Sequence, residues 1–376
     1  MSEGVDPARL EDVAAIEAAD PGGMLRQVAS SAAQIREAQR LTAEAGIGAL
    51  ADDGRPRAIV VTGMGGSGIS GDVLNAICGD GCPVPVVTVR GYRLPGWVGA
   101  ADLVIAVSCS GGTEETLAVA AEAARRGCRL LFVGGAESPL AELGAQSRAL
   151  FVPVRSVGQP RSTLWGLTVP LVLAARELGL VDVAPDVLES TAERLEEVAH
   201  RCRPDSEPFV NPAKRMALDL AGDVPMVWGT TAVAGTAAYR FCCQLNENAK
   251  YPGVHGVLPE ANHNQVVAFD GFFAAKPGAE DFFRDRTDDA EHGLHLVVLR
   301  DAEEHEQVRK RREVSVEIAR ARGVPVTELA SEGEHRLERI ATLIALADYV
   351  TVYLAIALGV DPTPVTAIQE LKARIA

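Results

Sequence analysis

Two short loops hold the residue types that chemistry on an anion needs. The first, Gly63-Met64-Gly65-Gly66-Ser67-Gly68, follows a β-branched run and opens a helix-forming stretch. Free N–H groups at a helix start, together with the helix dipole, favour a bound phosphate there. Gly63, Gly65 and Gly68 also satisfy the dinucleotide pattern G-x-G-x-x-G. A nicotinamide cofactor would further want an acidic residue about 20 residues on, at the end of the second strand. That strand ends Thr88-Val89-Arg90-Gly91, with no carboxylate, and no Lys follows the glycines as a P-loop requires. Two readings remain: a monophosphate site, or glycines that serve only a tight strand-to-helix turn. The second loop is Ser108-Cys109-Ser110-Gly111-Gly112-Thr113-Glu114-Glu115-Thr116. Its hydroxyls can donate to a phosphate at a strand end. Ser110 and Thr113 are equally suited to cap a helix whose first turn is acidic, and the two uses can coexist.

The elements that must position these loops are short apolar runs at 57–62, 84–89, 103–107 and 130–133, with helical sequence between most of them, notably 114–127. Strands and helices alternating at this length predict an α/β fold, a mainly parallel sheet with helices on both faces. Loops at the C-terminal ends of two strands of one sheet converge on the crevice where such sheets bind ligands. Residues 7–50 read as two N-terminal helices broken at Asp20-Pro21-Gly22-Gly23. After a helix at 164–179 the chain turns polar and Pro-containing, which suggests a boundary. Beyond it, 225–231 echoes the strand–turn–helix of 58–77, and 295–326 echoes 103–133. The predicted division is therefore 1–50 as N-terminal helices, 51–200 as a first α/β subdomain carrying both loops, and 201–376 as a second. Val266-Val267-Ala268-Phe269 reads as strand-like. Helices at 336–358 and from Pro362 close the chain.

Composition narrows the partners. Across 376 residues, 36 Lys+Arg against 51 Asp+Glu give a formal net charge of −15. That balance argues against nucleic acid or an anionic membrane as partner, yet leaves room for a small phosphorylated ligand held locally. Seven cysteines without a C-x-x-C, and a start (Met1 to Asp6) with neither a basic nor an apolar leader segment, predict a reducing, cytoplasmic setting. The stretch 340–360 is apolar with Asp348 as its one charge. A mid-span Asp costs roughly 2.5–3.5 kcal/mol in a bilayer, so a buried core helix is expected rather than a membrane span. His292 and His295, or Glu260 and His263, lack the further ligands of a metal site, and no metal is expected.

Gly65-Gly66-Ser67, taken with Ser108-x-Ser110-Gly111-x-Thr113-Glu114-Glu115-Thr116, resembles the sugar isomerase (SIS) domain, which binds phosphosugars. Three later segments narrow the resemblance: Asn246-Glu247-Asn248-Ala249-Lys250, Leu258-Pro259-Glu260-Ala261-Asn262-His263-Asn264 and Glu370-Leu371-Lys372. They are similar to the bifunctional phosphoglucose/phosphomannose isomerases of bacteria and archaea, and the resemblance spans residues 50 to 376. Cys109 and Gly112 depart from the larger or amide residues common in the serine loop, which touches fine substrate contacts rather than the phosphate cup. The resemblance implies two SIS subdomains, a homodimer, no metal or other cofactor, and a phosphosugar substrate. Its phosphate would be held by Gly65, Gly66, Ser67, Ser108, Ser110 and Thr113.

Interconverting an aldose and a ketose phosphate requires a base that moves the C2 proton to C1, an acid/base for ring opening, and positive charge near the enediolate oxygen. Glu247 lies between two Asn at the end of the largely apolar 241–245, where partial burial would raise a carboxyl pKa. The plain alternative is a surface Glu on a helix. His263, flanked by Asn262 and Asn264, fits a ring held in one tautomer that exchanges protons near neutral pH, or else a loop histidine. The resemblance makes it the histidine reaching the site from the neighbouring subunit. Lys372 near the chain end would ordinarily be a helix-terminal charge. The resemblance implies a proton relay at the ring oxygen and O5. Arg161 begins a helix, where a cation is unfavourable unless an anion lies close by, and the resemblance makes it the enediolate-stabilising residue. The activity implied is metal-free interconversion of glucose 6-phosphate and/or mannose 6-phosphate with fructose 6-phosphate. A non-catalytic SIS phosphosugar sensor is the alternative, but it would need an attached module. Residues 1–50 are too short and acidic for a DNA-binding helix-turn-helix.

Overall fold

Apolar runs without alternation form strands only where both sheet faces are covered, and the first sheet is built from such runs. Its strands are β1 (Ile59–Thr62), β2 (Val86–Val89), β3 (Leu103–Ser108), β4 (Arg129–Gly134) and β5 (Leu150–Pro153), all parallel in the order β2-β1-β3-β4-β5. Every residue of β1 and β3 is buried. The computed structural model describes residues 5–156, 158–274 and 293–375. The chain divides into two compact units: Ala29–Glu196 with Gly333–Glu338, which holds this sheet, and Met1–Val28, Glu197–Glu332 and Arg339–Ala376. In the first unit, helices Gly66–Cys78, Glu114–Arg125 and Pro139–Ser147 connect successive strands, and the buried helix Leu164–Glu177 packs on Ser31–Glu44. The expected strands and the helix at 114–127 are present. The edge strand β5 was not legible in the sequence, because it is four residues long and ends on Pro153, which has no N–H to give a ladder.

The second unit holds β6 (Val224–Gly229), β7 (Val254–Val257), β8 (Leu294–Arg300) and β9 (Val326–Ala330), parallel in the order β7-β6-β8-β9. That order repeats β2-β1-β3-β4 strand for strand, so the weak echo in the sequence is a topological repeat. Trp228 on β6 packs against Phe269, with ring centroids 5.6 Å apart. The strand-like run Val266-Val267-Ala268-Phe269 is not a strand. It lies in a 3-10 turn, Gln265–Asp270, for a local reason. The Asn264 side chain accepts the Gln265 N–H at 2.6 Å and caps the turn. Gln265 in turn accepts from Trp228 Nε1 at 2.6 Å and donates to His255 O at 2.9 Å, which docks the segment on the core.

Among the described residues one helix, Arg336–Ala357, is long and apolar enough to cross a membrane, and 94% of its most apolar window is buried inside the protein. Its lone mid-helix charge, Asp348, is paired with Arg240 from helix Ala232–Gln244, Nε to Oδ1 at 3.1 Å and Nη2 to Oδ2 at 2.7 Å. The last helix begins at Thr366 rather than near Pro362 and buries none of its residues.

Candidate active site

In the order β2-β1-β3-β4-β5 the chain leaves β1 in one direction for β2 and in the other for β3, so the topological switch point lies between β1 and β3. Both motif loops stand there. The β1 loop turns at Gly65, whose φ of 52° and ψ of −129° suit glycine, and enters helix Gly66–Cys78. The buried Ser67 hydroxyl accepts the Cys109 N–H at 3.3 Å, which ties one loop to the other. Ser108 lies beneath the rim with 0% exposure. Its Oγ is 2.9 Å from Thr113 Oγ1 and accepts the Thr113 N–H at 3.4 Å. Ser108 thus shapes the loop, while Ser110 is exposed on it and accepts the Gly112 N–H at 3.3 Å. Gly111, at φ +68°, closes against Ser138, whose hydroxyl a Cβ would overlap.

Arg161 is in this same unit. It lies in the 3-10 turn Pro160–Ser162 ahead of helix Leu164–Glu177, not at the helix start that the sequence suggested. It is 4% exposed, and its Nη1 donates to Gln159 Oε1 at 3.2 Å. Its Cα would be 3.7 Å from a Cβ built at Gly66, so the Arg161 turn backs the first residue of helix Gly66–Cys78. A helix N-terminus, side-chain hydroxyls and a buried cation on one side of the sheet are a set of groups for a small anion.

The corresponding switch point of the second unit, between β6 and β8, is already filled. The buried Asp301 carboxylate accepts from Thr231 Oγ1 at 3.0 Å, from Ser331 Oγ at 3.2 Å and from Arg339 Nε at 2.7 Å. The Asp301 N–H donates to Thr230 Oγ1 at 3.0 Å. A carboxylate paired with a guanidinium therefore stands where the first unit presents its loops.

The second unit carries Glu247, His263 and Lys372. Helix Ala232–Gln244 runs on into a π-helical turn, Leu245–Ala249, and such single turns recur at functional sites. The turn is held by Asn248, fully buried, whose Nδ2 donates to Thr351 Oγ1 at 2.9 Å. Below it the Asp348 carboxylate pairs with Arg240. Burial pushes that carboxyl above its usual range against the opposing pull of the Arg240 guanidinium. Glu247 is half-buried on the turn and makes no hydrogen bond to the described residues.

His263 ends the 3-10 turn Glu260–His263 and is exposed. The flanking Asn residues do not hold its ring. Asn262 donates to Ser315 Oγ at 2.7 Å and Asn264 to Glu260 Oε1 at 2.9 Å, so each is occupied in securing its own turn. Lys372 is exposed on helix Thr366–Ile375, where Glu370 pairs with Arg374. No three metal-ligating side chains cluster among the described residues. His295 is buried against Thr327, and His292 lies outside the described residues. Sequence reasoning gave no role to Thr351 or Asp301, nor to Asn248 and Lys250, although the last two stand in the quoted segment 246–250. For Thr351 the available signal was polarity inside an apolar helix, three residues after Asp348.

Two parallel sheets of repeated topology, one carrying a serine loop and a glycine loop at its switch point, define an α/β protein of the sugar isomerase domain class. The family described as bacterial phospho-glucose isomerase C-terminal SIS domain matches residues 209–375. The chain is 33% identical over 323 residues to a bifunctional phosphoglucose/phosphomannose isomerase of Caldicellulosiruptor bescii, covering 85% of this chain and 89% of that one. It is 31% identical over 317 residues to the protein of the same description in Aquifex aeolicus, covering 84% and 89%. Among solved structures, a glucose-6-phosphate isomerase like protein from Thermus thermophilus superposes with a TM-score of 0.52 at 21% identity, over 82% of this chain and 86% of that one. The chain belongs to the bifunctional phosphoglucose/phosphomannose isomerase family.

Proposed function

We propose that the chain interconverts glucose 6-phosphate and mannose 6-phosphate with fructose 6-phosphate through a cis-enediolate, using side chains alone. The observation that carries this reading is Glu247, a half-buried carboxylate without a hydrogen-bond partner among the described residues, on a π-turn in a chain of an isomerase family. The substrate phosphate sits on Gly65, Gly66, Ser67, Ser110 and Thr113, with Ser108 shaping the loop beneath them. In the open-chain aldose, Glu247 takes the C2 proton. The electron pair moves into the C1–C2 bond and the negative oxygen is stabilised by the Arg161 guanidinium. Return of the same proton to C1, with the O2 hydroxyl proton passing to O1, gives the ketose. His263 and Lys372 move protons at the O1 hydroxyl and the ring oxygen O5 during ring opening. The protein acts as a homodimer in which His263 serves the neighbouring subunit, a role that its exposed ring, without a hydrogen-bond partner among the described residues, supports. The setting is the cytoplasm, supported by seven cysteines that are all free.

The test is to incubate fructose 6-phosphate with the protein in D2O and follow it by NMR. Both aldose phosphates should appear, carrying deuterium at C2 to the extent that Glu247 exchanges with solvent. Phosphosugar binding without conversion would return the protein to the sensor class. Because both aldoses pass through one planar enediolate and differ only at C2, their kcat/KM values are expected within about tenfold, a barrier difference of about 1.4 kcal/mol. Coupled assays on each sugar check this, and a preference above a thousandfold would mean a single-substrate isomerase. Ser67→Ala combined with Ser110→Ala should act chiefly on KM, since each hydrogen bond to a charged phosphate is worth about 1.5–3 kcal/mol. Initial-rate kinetics with an unchanged KM would place the phosphate elsewhere.

A further inference from the structure

The π-turn that carries Glu247 ends on Lys250, a non-glycine residue in the left-handed region at φ 54° and ψ 38°. In that conformation its ammonium reaches three carbonyl oxygens: Asn248 O at 3.1 Å, Asp361 O at 2.7 Å and Pro362 O at 3.3 Å. The first belongs to the Glu247 turn. The other two belong to the segment from which helix Thr366–Ile375, with Lys372, departs. That helix buries no residue, and Ile368, Leu371 and Ile375 stand exposed, so its own packing does not fix its position in the chain. Its placement rests on the preceding segment. On one side Thr363 lies against Gly22, where a Cβ would overlap the threonine hydroxyl, and Asp361 Oδ1 accepts the Thr363 N–H at 2.8 Å. On the other side stands Lys250. A cation that only complemented a helix C-terminus would bond to Asn248 O and have no need of Asp361 or Pro362.

We infer that Lys250 is a positioning residue for the isomerisation: its ammonium ties the turn bearing Glu247 to the segment that launches the helix bearing Lys372. The inference rests on the reading of Glu247 and Lys372 as reacting groups, and its test is arranged to separate the two.

Lys250→Met keeps the stem and removes the donors, while Lys250→Gly also relieves the left-handed backbone. With both, kcat should fall by about 10²-fold, as misplacement of a reacting group by about 1 Å does, with KM little changed. Amide hydrogen exchange should quicken over 360–375 and stay unchanged over β6 and β8. Adding Lys250→Met to Lys372→Met should cost little further, because residues acting through one another are not additive. Lys250→Gly at wild-type kcat, additive losses in the double variant, or exchange that quickens across the whole molecule would each overturn the tie. A fully active Lys372→Met enzyme would instead overturn the role given to Lys372. In that case the exchange over 360–375 alone decides whether Lys250 holds the segment.

Discussion

Glu247→Gln is expected to lower kcat by about 10³-fold or more, with KM for fructose 6-phosphate nearly unchanged. The amide has the shape of the carboxylate and adds no charge to the site, but it cannot accept the C2 proton. Binding should survive because the loops proposed to hold the phosphate stand on β1 and β3, while Glu247 rides on the π-turn after helix Ala232–Gln244. The turn itself should also persist. It is secured by the bond from Asn248 to Thr351 at 2.9 Å, which does not involve the Glu247 side chain. Both aldose activities should vanish together, since one base serves both. Steady-state kinetics on the two sugars with the same preparation checks this. Wild-type turnover, or loss of the mannose activity alone, would sink the shared-base mechanism.

Arg240→Leu is expected to cost about 3–5 kcal/mol of folding stability, because it strands a carboxylate in the core. Arg240 and Asp348 are 1% and 6% exposed and meet through two parallel N–H···O bonds, so water cannot replace the lost partner. The cost should depend on pH in a definite direction. Burial already drives the Asp348 carboxyl upward, and without Arg240 the charge and hydrogen bonds that oppose it are gone. A carboxyl whose folded pKa lies above its unfolded value, near 3.9, favours the fold only while protonated. Its contribution is fully present below the unfolded pKa and is lost as pH rises through the folded one. The variant's deficit in denaturant melts should therefore be larger at pH 8 than at pH 5. Arg240→Leu combined with Asp348→Leu, which leaves no unpaired charge, should recover most of the loss. A single variant as stable as wild type at pH 8 would show that the pair contributes nothing net.

What could be read from the sequence was set by local rules. The runs that became β1, β3 and β4 are unbroken apolar segments, as strands covered on both faces must be, and Gly65 and the Ser108–Thr113 loop lie where strand-to-helix turns demand small and hydroxyl residues. The repeat of strand–turn–helix units was likewise a local pattern, and it became the shared order of the two sheets. Tertiary structure decided what depends on partners far along the chain. Asp348 is an anomaly in an apolar helix until Arg240, 108 residues away, is placed beside it. Val266 to Phe269 has strand composition, yet Gln265 finds Trp228 and His255, and a capped 3-10 turn satisfies the backbone without a ladder. The second switch point matched the first in topology until Asp301 was found there, bonded to Thr231, Ser331 and Arg339. Lys250 looked like the end of a motif, and only its contacts 111 and 112 residues away, with Asp361 and Pro362, reveal what it holds. Backbone periodicity and turn chemistry act over a few residues and leave their mark on composition. The pairing of buried polar groups acts across the folded core, and composition alone does not say which partner each one meets.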